Sequence, residues 1–168
     1  FYICDSVIEA VAKEGVSIYF YRLTKNFEPI LDDISDRKAH ILTVNYFGIC
    51  ENNILSLKDK FQNVIIDNSQ AFFSKPLPGL TVFYSPRKFF GVPDGGYLYS
   101  DVNDNIKLDQ DHSYDRALHL LIRHDRQPEQ GYAEYLNNEK LFEALAIKGM
   151  SNLTKTILCS IDYEKVKK

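Results

Sequence analysis

The chain has 168 residues, of which 45% are hydrophobic and 26% charged, a composition typical of a folded domain rather than a disordered chain. The length suits one domain better than two. The 20 basic and 23 acidic residues leave a net charge of −3, which argues against nucleic-acid binding by a basic surface. No apolar run reaches the roughly 18 residues of a membrane-spanning helix. We therefore expect a cytoplasmic protein without nucleic-acid or membrane partners.

Cysteine and histidine spacings give no sign of a metal site. Cys4, Cys50 and Cys159 are an odd number and lie far apart, so neither a disulfide framework nor a metal knuckle is indicated. His112 and His119 have a spacing that suits one helix face, but no Cys or carboxylate completes a ligand set. We interpret both as surface histidines. The mixed charges over 115–126 are interpreted as the solvated face of a helix.

In chain order, the first part of the sequence alternates between helical and extended patterns. Apolar spacing and turn residues predict helices over 6–14, 26–33 and 53–61. Runs of β-branched and aromatic residues predict strands over 16–21, 39–46, 64–66, 81–84 and 96–99. This βαβα alternation favours an α/β fold of three layers, α/β/α, with a mostly parallel sheet between helices.

The sequence changes character after Ser100, where helical patterns dominate. A helix is predicted over 114–124, and 137–168 is predicted to form one or two long helices. The last stretch, 151–168, contains no residue that stops a helix. We therefore expect a single helix there.

Two predicted strands end in residues that can do chemistry. The strand 64–66 is followed by Asp67, and the strand 81–84 is followed closely by Lys88. Ligands of open parallel sheets bind beyond the carboxyl ends of the strands. If the two strands are parallel neighbours, a carboxylate and an amine share one edge. A lysine there can bond covalently to a carbonyl, and the carboxylate can hold a pyridinium nitrogen protonated.

Simpler interpretations of both positions remain open. Residues 67–70, Asp-Asn-Ser-Gln, fit a helix-capping box in which side chains only satisfy backbone donors. Against this, Pro76 and Pro78 leave little room for a helix after Gln70. Arg87 and Lys88 also fit a solvated basic pair.

Three motifs in this order resemble the DegT/StrS family of pyridoxal 5'-phosphate (PLP)-dependent sugar aminotransferases. They are VIIDNSQAF over 64–72, FYSPRKFFG over 83–91 and DGGYLYS over 94–100. Weaker similarity covers VNYFG over 44–48 and Gly131-Tyr132. The resemblance implies the large domain of PLP-transferase fold type I, incomplete at both ends. It divides the chain into a PLP-binding core, 1–150, and the start of a helix leading to a small C-terminal domain, 151–168.

The resemblance also implies roles for five residues. Lys88 falls on the lysine that bonds covalently to PLP, and Asp67 on the aspartate that pairs with the pyridine nitrogen. Gln70 falls on the glutamine on the side of the cofactor's phenolic oxygen. Phe1 falls near the aromatic residue that stacks on the ring. Ser85 is a substitute for one of the family's phosphate contacts, although a turn residue before Pro86 is the simpler interpretation.

Three positions depart from the family pattern, and all three are phosphate contacts. Phe83 stands where the family commonly has serine, Phe89 where it often has asparagine, and Ala133 where it has the asparagine of Gly-Tyr-Asn. Each missing charge-assisted hydrogen bond is worth about 1.5–3 kcal/mol unless another group replaces it. The sequence therefore predicts either a rebuilt phosphate site or weakened binding of the cofactor.

The resemblance implies transfer of an amino group from an amino acid, glutamate by expectation, to a keto sugar or nucleotide keto sugar, for amino-sugar or surface-polysaccharide biosynthesis, in a homodimer. One alternative is a catalytically silent member of the fold that serves binding or assembly, and another is a PLP enzyme of the same fold that performs dehydration. We expect the chain to be a fragment of a longer enzyme and inactive alone.

Overall fold

The computed structural model describes residues 3–102, 106–144 and 146–167. None of the helices in this part of the chain is both long and apolar enough to cross a membrane. Its helices and strands are α1 (Asp5–Lys13), β1 (His40–Val44), α2 (Glu51–Lys58), β2 (Asn63–Asp67), β3 (Thr81–Tyr84), β4 (Tyr97–Tyr99), α3 (Leu118–Asp125), α4 (Tyr132–Ala144), α5 (Asn152–Cys159) and α6 (Tyr163–Val166).

The strands form one open sheet in the order β1-β2-β3-β4. β1 pairs with β2 and β2 with β3, both in parallel, and the register places Val44 opposite Asp67 and Asp67 opposite Phe83. The predicted class, mixed α/β with a mostly parallel sheet, is confirmed. The strands predicted over 39–46, 64–66, 81–84 and 96–99 are also confirmed, with ends that shift by one or two residues.

Burial follows the two-residue period of the strands. Thr43, Ile66 and Val82 are opposite one another across three strands, and all three are buried. Helix α2 contacts β2 and contributes the buried side chains of Ile54 and Leu57. Alternate positions that are buried on one face explain why these strands were predictable from their pattern.

The strand predicted over 16–21 is wrong. The segment is extended but pairs with no strand among the described residues, and Tyr19 is 87% exposed. The Tyr21 hydroxyl anchors the segment to β1 by donating a hydrogen bond to the Leu42 carbonyl at 2.8 Å. β-branched and aromatic residues favour extended backbone, but a strand also requires a partner for its N–H and C=O groups. The helix predicted over 26–33 is reduced to a 3₁₀ turn, Leu31–Asp33.

The chain forms two compact units. The first comprises the described residues up to Phe83 together with Tyr99–Asp101, and the second comprises Tyr84–Leu98 and the described residues from Val102 onward. In the second unit, the single helix predicted over 151–168 is wrong. Helix α5 ends at Cys159, and Asp162 begins α6 by accepting a hydrogen bond from the Lys165 backbone N–H. An aspartate cap of this kind is a start signal within the segment.

Two residues of the second unit that were predicted to be on the surface are buried. His119 is 5% exposed and Arg116 is 7% exposed. Arg116 forms an ion pair with Asp111 and donates to the His112 carbonyl at 2.8 Å. Gly131 lets the chain approach α3 closely, since an added Cβ would lie 2.9 Å from the His119 carbonyl oxygen. These neighbours, all outside the local charge pattern, explain why the surface prediction was wrong.

Asp94 fixes the beginning of α5. Its carboxylate accepts hydrogen bonds from the backbone N–H and the hydroxyl of Ser151, 2.8 and 2.7 Å long, and a further bond from the Thr154 hydroxyl. Ser113 bonds to the Ser151 hydroxyl at 2.7 Å. Burial by itself raises the pKa of Asp94, but the hydrogen bonds from Thr154, Ser151 and Ser113 outweigh it and lower the pKa below its ordinary value.

We expect Asp94→Asn to lower the free energy of unfolding by about 2 kcal/mol at neutral pH, because the charge-assisted bonds to α5 are lost. The folded-state pKa of Asp94 is depressed, so this contribution is present above the unfolded-state pKa of about 4 and is lost as the pH falls through the folded-state pKa.

Urea unfolding at several pH values from neutral to below pH 4 measures this effect. The difference between wild type and Asp94→Asn should stay constant down to about pH 5 and shrink below about pH 4. The matched control is Asp109→Asn, which changes an exposed carboxylate and should alter stability by less than about 0.5 kcal/mol. A difference that does not depend on pH would contradict this account of Asp94.

Candidate functional site

Asp67 is at the carboxyl end of β2, where the sequence predicts it. Its side chain is buried, and its Oδ1 accepts a hydrogen bond from the Ser69 backbone N–H at 2.8 Å. The residues that follow, 68–74, form turns and no helix. The capping-box interpretation is therefore wrong about the helix, although Asp67 does satisfy one backbone donor.

The Asn45 amide joins three segments at the same edge of the sheet. Its Nδ2 donates to Asn68 Oδ1 at 3.0 Å and to Ser74 Oγ at 3.3 Å, and its Oδ1 accepts from the Cys50 backbone N–H at 3.1 Å. The Asn45 backbone N–H donates to the Asp67 carbonyl at 3.0 Å. The end of β1, the loop after β2 and the start of α2 are thereby held together.

A small cavity lies beside this network. Its volume is about 20 Å³, which is room for one water molecule. Its lining combines polar and apolar residues. The lining residues are Asn45, Glu51, Ile54, Ile66, Asn68, Ser74, Lys75 and Leu77.

Gln70 carries a buried polar atom without a partner. Its Oε1 makes no hydrogen bond within the described part of the chain. A buried amide oxygen without a donor costs about 1–3 kcal/mol, and such groups are rare in folded proteins. The position is three residues after Asp67, on the same loop.

Lys88 is on a short 3₁₀ turn, Pro86–Lys88, directly after β3. Pro86 is fully buried. Arg87 forms an ion pair with Glu139, and its guanidinium carbon is 4.4 Å from the centre of the Phe142 ring. Lys88 itself is exposed. The interpretation of residues 87 and 88 as a solvated basic pair is therefore wrong for Arg87, which anchors the turn to α4.

The aromatic residue after this turn fixes its other end. Phe90 is buried, and its ring meets that of Tyr163 edge to face at 5.6 Å. The turn is therefore anchored before and after Lys88, by Arg87 and by Phe90. Lys88 is therefore an exposed residue on a well-held backbone.

The predicted site residues fall into two groups. Asp67 and Gln70 belong to one loop of the first unit, whereas Lys88 and Ser85 belong to one turn of the second unit. Ser85 is half-buried and makes no capping hydrogen bond with its side chain. Phe1 lies outside the described residues. In the described residues, no group of three or more His, Cys, Asp or Glu is arranged to hold a metal ion.

The three positions that depart from the family pattern offer no side-chain donor. Phe83 is half-buried in β3, and its carbonyl accepts from the Asn68 backbone N–H at 2.8 Å. Phe89 is 38% exposed, and Ala133 is exposed near the start of α4. Of the residues considered for phosphate contact, Ser85 is the one with a hydroxyl.

Sequence reasoning missed Asn45 and Arg87, which hold the two groups in place. Asn45 gave one local signal, since it lies at the end of the predicted strand 39–46 and precedes Gly48 by three residues, a pattern typical of a turn. Arg87 gave none. Its partner Glu139 is 52 residues away in the chain.

The second unit contains another small cavity, of about 50 Å³, between α3 and α4. Asn138 lines it and is 3% exposed, yet within the described ranges neither polar atom of its side chain has a hydrogen-bond partner, and Arg116 Nε has none either. His119 also lines the cavity. Burial, followed by the positive charge of Arg87, lowers the pKa of His119 below its ordinary value, so its imidazole is neutral at pH 7.

Comparisons of the chain with protein-family models, with curated proteins and with solved structures found no match.

We expect Asn138→Leu to stabilise the protein by about 1–2 kcal/mol, because it removes an amide that is desolvated without compensation and puts apolar atoms beside the cavity. Thermal and urea unfolding measure the change. Lys140→Leu is the control on the same helix, because Lys140 is exposed and is not among the residues that line the cavity, and it should change stability by less than about 0.5 kcal/mol. Loss of stability in Asn138→Leu would mean that a bound molecule satisfies this amide.

Proposed function

We propose that this chain carries the ring-binding part of a PLP-dependent aminotransferase of the DegT/StrS type, in the three-layer fold of the PLP-transferase type I large domain. The observation that carries the proposal is the Oε1 atom of the half-buried Gln70, on the loop of Asp67, which is buried without a hydrogen-bond partner among the described residues. The exposed Lys88 on its anchored turn supports it. The resemblance of the motifs at 64–72, 83–91 and 94–100 to those of the DegT/StrS family supports the choice of family. Cytoplasmic location and a homodimer belong to the same proposal.

The residues fit the ring end of PLP. A buried carboxylate such as Asp67 can accept a hydrogen bond from a protonated ring nitrogen. The Gln70 amide can turn about its last bond, so that Nε2 takes the place of the unpartnered Oε1 and donates to the phenolic oxygen. Lys88 supplies an amine for the covalent link. When bound, PLP supplies an electron sink for the carbanion formed during amino transfer.

Each residue would then have a defined task. Lys88 Nζ would hold the cofactor and, as a free amine, would carry a proton from the donor's Cα. Asp67 would hold a proton at the ring nitrogen. Arg87, through Glu139 and Phe142, fixes the backbone from which Lys88 extends.

The phosphate end fits less well. Phe83, Phe89 and Ala133 provide no side-chain donors, so Ser85 and backbone N–H groups remain to hold the phosphate. Without replacements, each missing contact weakens binding by about 1.5–3 kcal/mol. These three positions favour one second candidate, a catalytically silent member of the fold that serves binding or assembly. A retained lysine favours transamination over dehydration, because dehydrating members of the family can have histidine at that position.

Reduction with borohydride tests the proposal. The full-length polypeptide is mixed with PLP, reduced, digested and mapped by mass spectrometry. We expect a pyridoxyl adduct on Lys88, because reduction fixes the bond between the cofactor and the amine that holds it. Lys88→Ala should abolish the adduct, whereas Lys60→Ala, at an exposed lysine of the first unit, should keep it.

Addition of glutamate separates the two candidate functions. A transaminase should lose the absorbance of its bound, oxidised cofactor when glutamate is added, because the nitrogen is transferred. An adduct on Lys88 without this spectral change supports the silent alternative. Absence of any adduct on Lys88 in the full-length polypeptide would rule out the enzyme.

A further inference from the structure

Phe47 is held in a conformation that is costly in two ways. Its backbone is left-handed, with φ 53° and ψ 17°, and its side chain is 72% exposed. The left-handed region is unfavourable for a bulky residue and costs on the order of 1–3 kcal/mol. Exposure of a phenyl ring forfeits the free energy that its burial would give.

Phe27 provides the internal comparison. Among the described residues, Phe27 and Phe47 are the two non-glycine positions with positive φ. The Phe27 ring packs on Tyr46, with ring centres 4.9 Å apart, and Tyr46 is buried. Phe27 therefore gains packing in return for its backbone strain. Phe47 gains no comparable burial within the chain.

The turn around Phe47 is fixed by its neighbours. Asn45 Oδ1 closes it by accepting from the Cys50 backbone N–H. Gly48 also has a positive φ, of 78°, and a Cβ added there would lie 3.4 Å from Ser74 Oγ, so the turn is seated on the loop after β2. This turn needs a left-handed residue at position 47 but does not need a phenyl ring. Asparagine or glycine would adopt the same backbone at lower cost.

Phe47 belongs to the turn that follows β1 at the carboxyl edge of the sheet, the edge that carries Asp67. Val44, the last residue of β1, is opposite Asp67, and the Asn45 N–H bonds to the Asp67 carbonyl. Phe47 follows three residues after the end of the strand. Ile49, two residues further, is also 72% exposed. Two apolar side chains are thus displayed beside the loop of Asp67 and Gln70.

We propose that Phe47, with Ile49, contacts the apolar face of the sugar ring of the amino acceptor, an inference that rests on the proposed function. The C–H groups on one face of a sugar ring suit the negative face of an aromatic ring, and ligand sites commonly pair apolar platforms with a few polar groups. A dicarboxylate donor gains nothing from a phenyl ring.

Stability distinguishes a ligand contact from a structural role, and it can be measured without any substrate. Phe47→Asn should leave the Tm unchanged or raise it, because asparagine tolerates the left-handed backbone and its side chain is solvated. Phe27→Asn should lower the Tm, because the ring packed on Tyr46 is lost. A fall in Tm for Phe47→Asn as large as that for Phe27→Asn would overturn the inference.

Half-reactions test the contact itself. They use the full-length polypeptide loaded with PLP, with glutamate as donor and a UDP-linked 4-keto-6-deoxyhexose as the probe acceptor. Phe47→Asn should leave the glutamate half-reaction within about twofold of wild type and raise the KM for the keto sugar about tenfold. Phe47→Tyr should restore the KM.

The outcomes separate the two proposals. A wild-type polypeptide that forms no adduct at Lys88 overturns the proposed function and this inference with it. A wild-type polypeptide that transaminates, beside a Phe47→Asn variant whose KM for the keto sugar is unchanged, overturns the inference alone.

Discussion

At the carboxyl edge of the sheet, the Asn45 amide bonds the end of β1 to the loop after β2 and to the first residues of α2. Parallel pairing brings these segments to one edge but leaves their polar groups to be satisfied by side chains. Asn45 fulfils that requirement with both ends of its amide. Asn45 also bonds through its backbone N–H to the Asp67 carbonyl. The turn that follows it contains Phe47 and Gly48, both with positive φ.

In the second unit, charged side chains rather than an amide satisfy the polar groups that join its segments. Asp94 collects the donors at the start of α5, Asp111 pairs with the buried Arg116, and Glu139 pairs with Arg87. Buried or half-buried ions are tolerated when their hydrogen bonds are satisfied. Lys88 therefore extends from a backbone that is fixed by neighbours rather than by its own side chain.

The sequence predicted well those features that depend on local pattern. β1, β2 and β3 were predictable because alternate residues are buried, and Asp67 was correctly placed because a strand end can be read from neighbouring residues. Features that depend on distant partners were not predictable. Residues 16–21 have every intrinsic preference for a strand and no strand to pair with, and His119 is buried by α4, which follows it in the chain. The Arg87–Glu139 pair has no local signature at all.

The extended segment 16–21 has a consequence for the handling of the protein. Its sequence, VSIYFY, is apolar, uncharged and free of proline and glycine, which is the composition of segments that stack into cross-β assemblies. Three of its side chains, Val16, Tyr19 and Phe20, are more than half exposed. Charged residues stand only outside the segment, at Glu14 and Arg22, and Arg22 is already paired with Asp33, so little charge opposes association. Concentrated solutions should therefore aggregate through this segment, and a single lysine at position 19 should raise the solubility limit without disturbing the sheet.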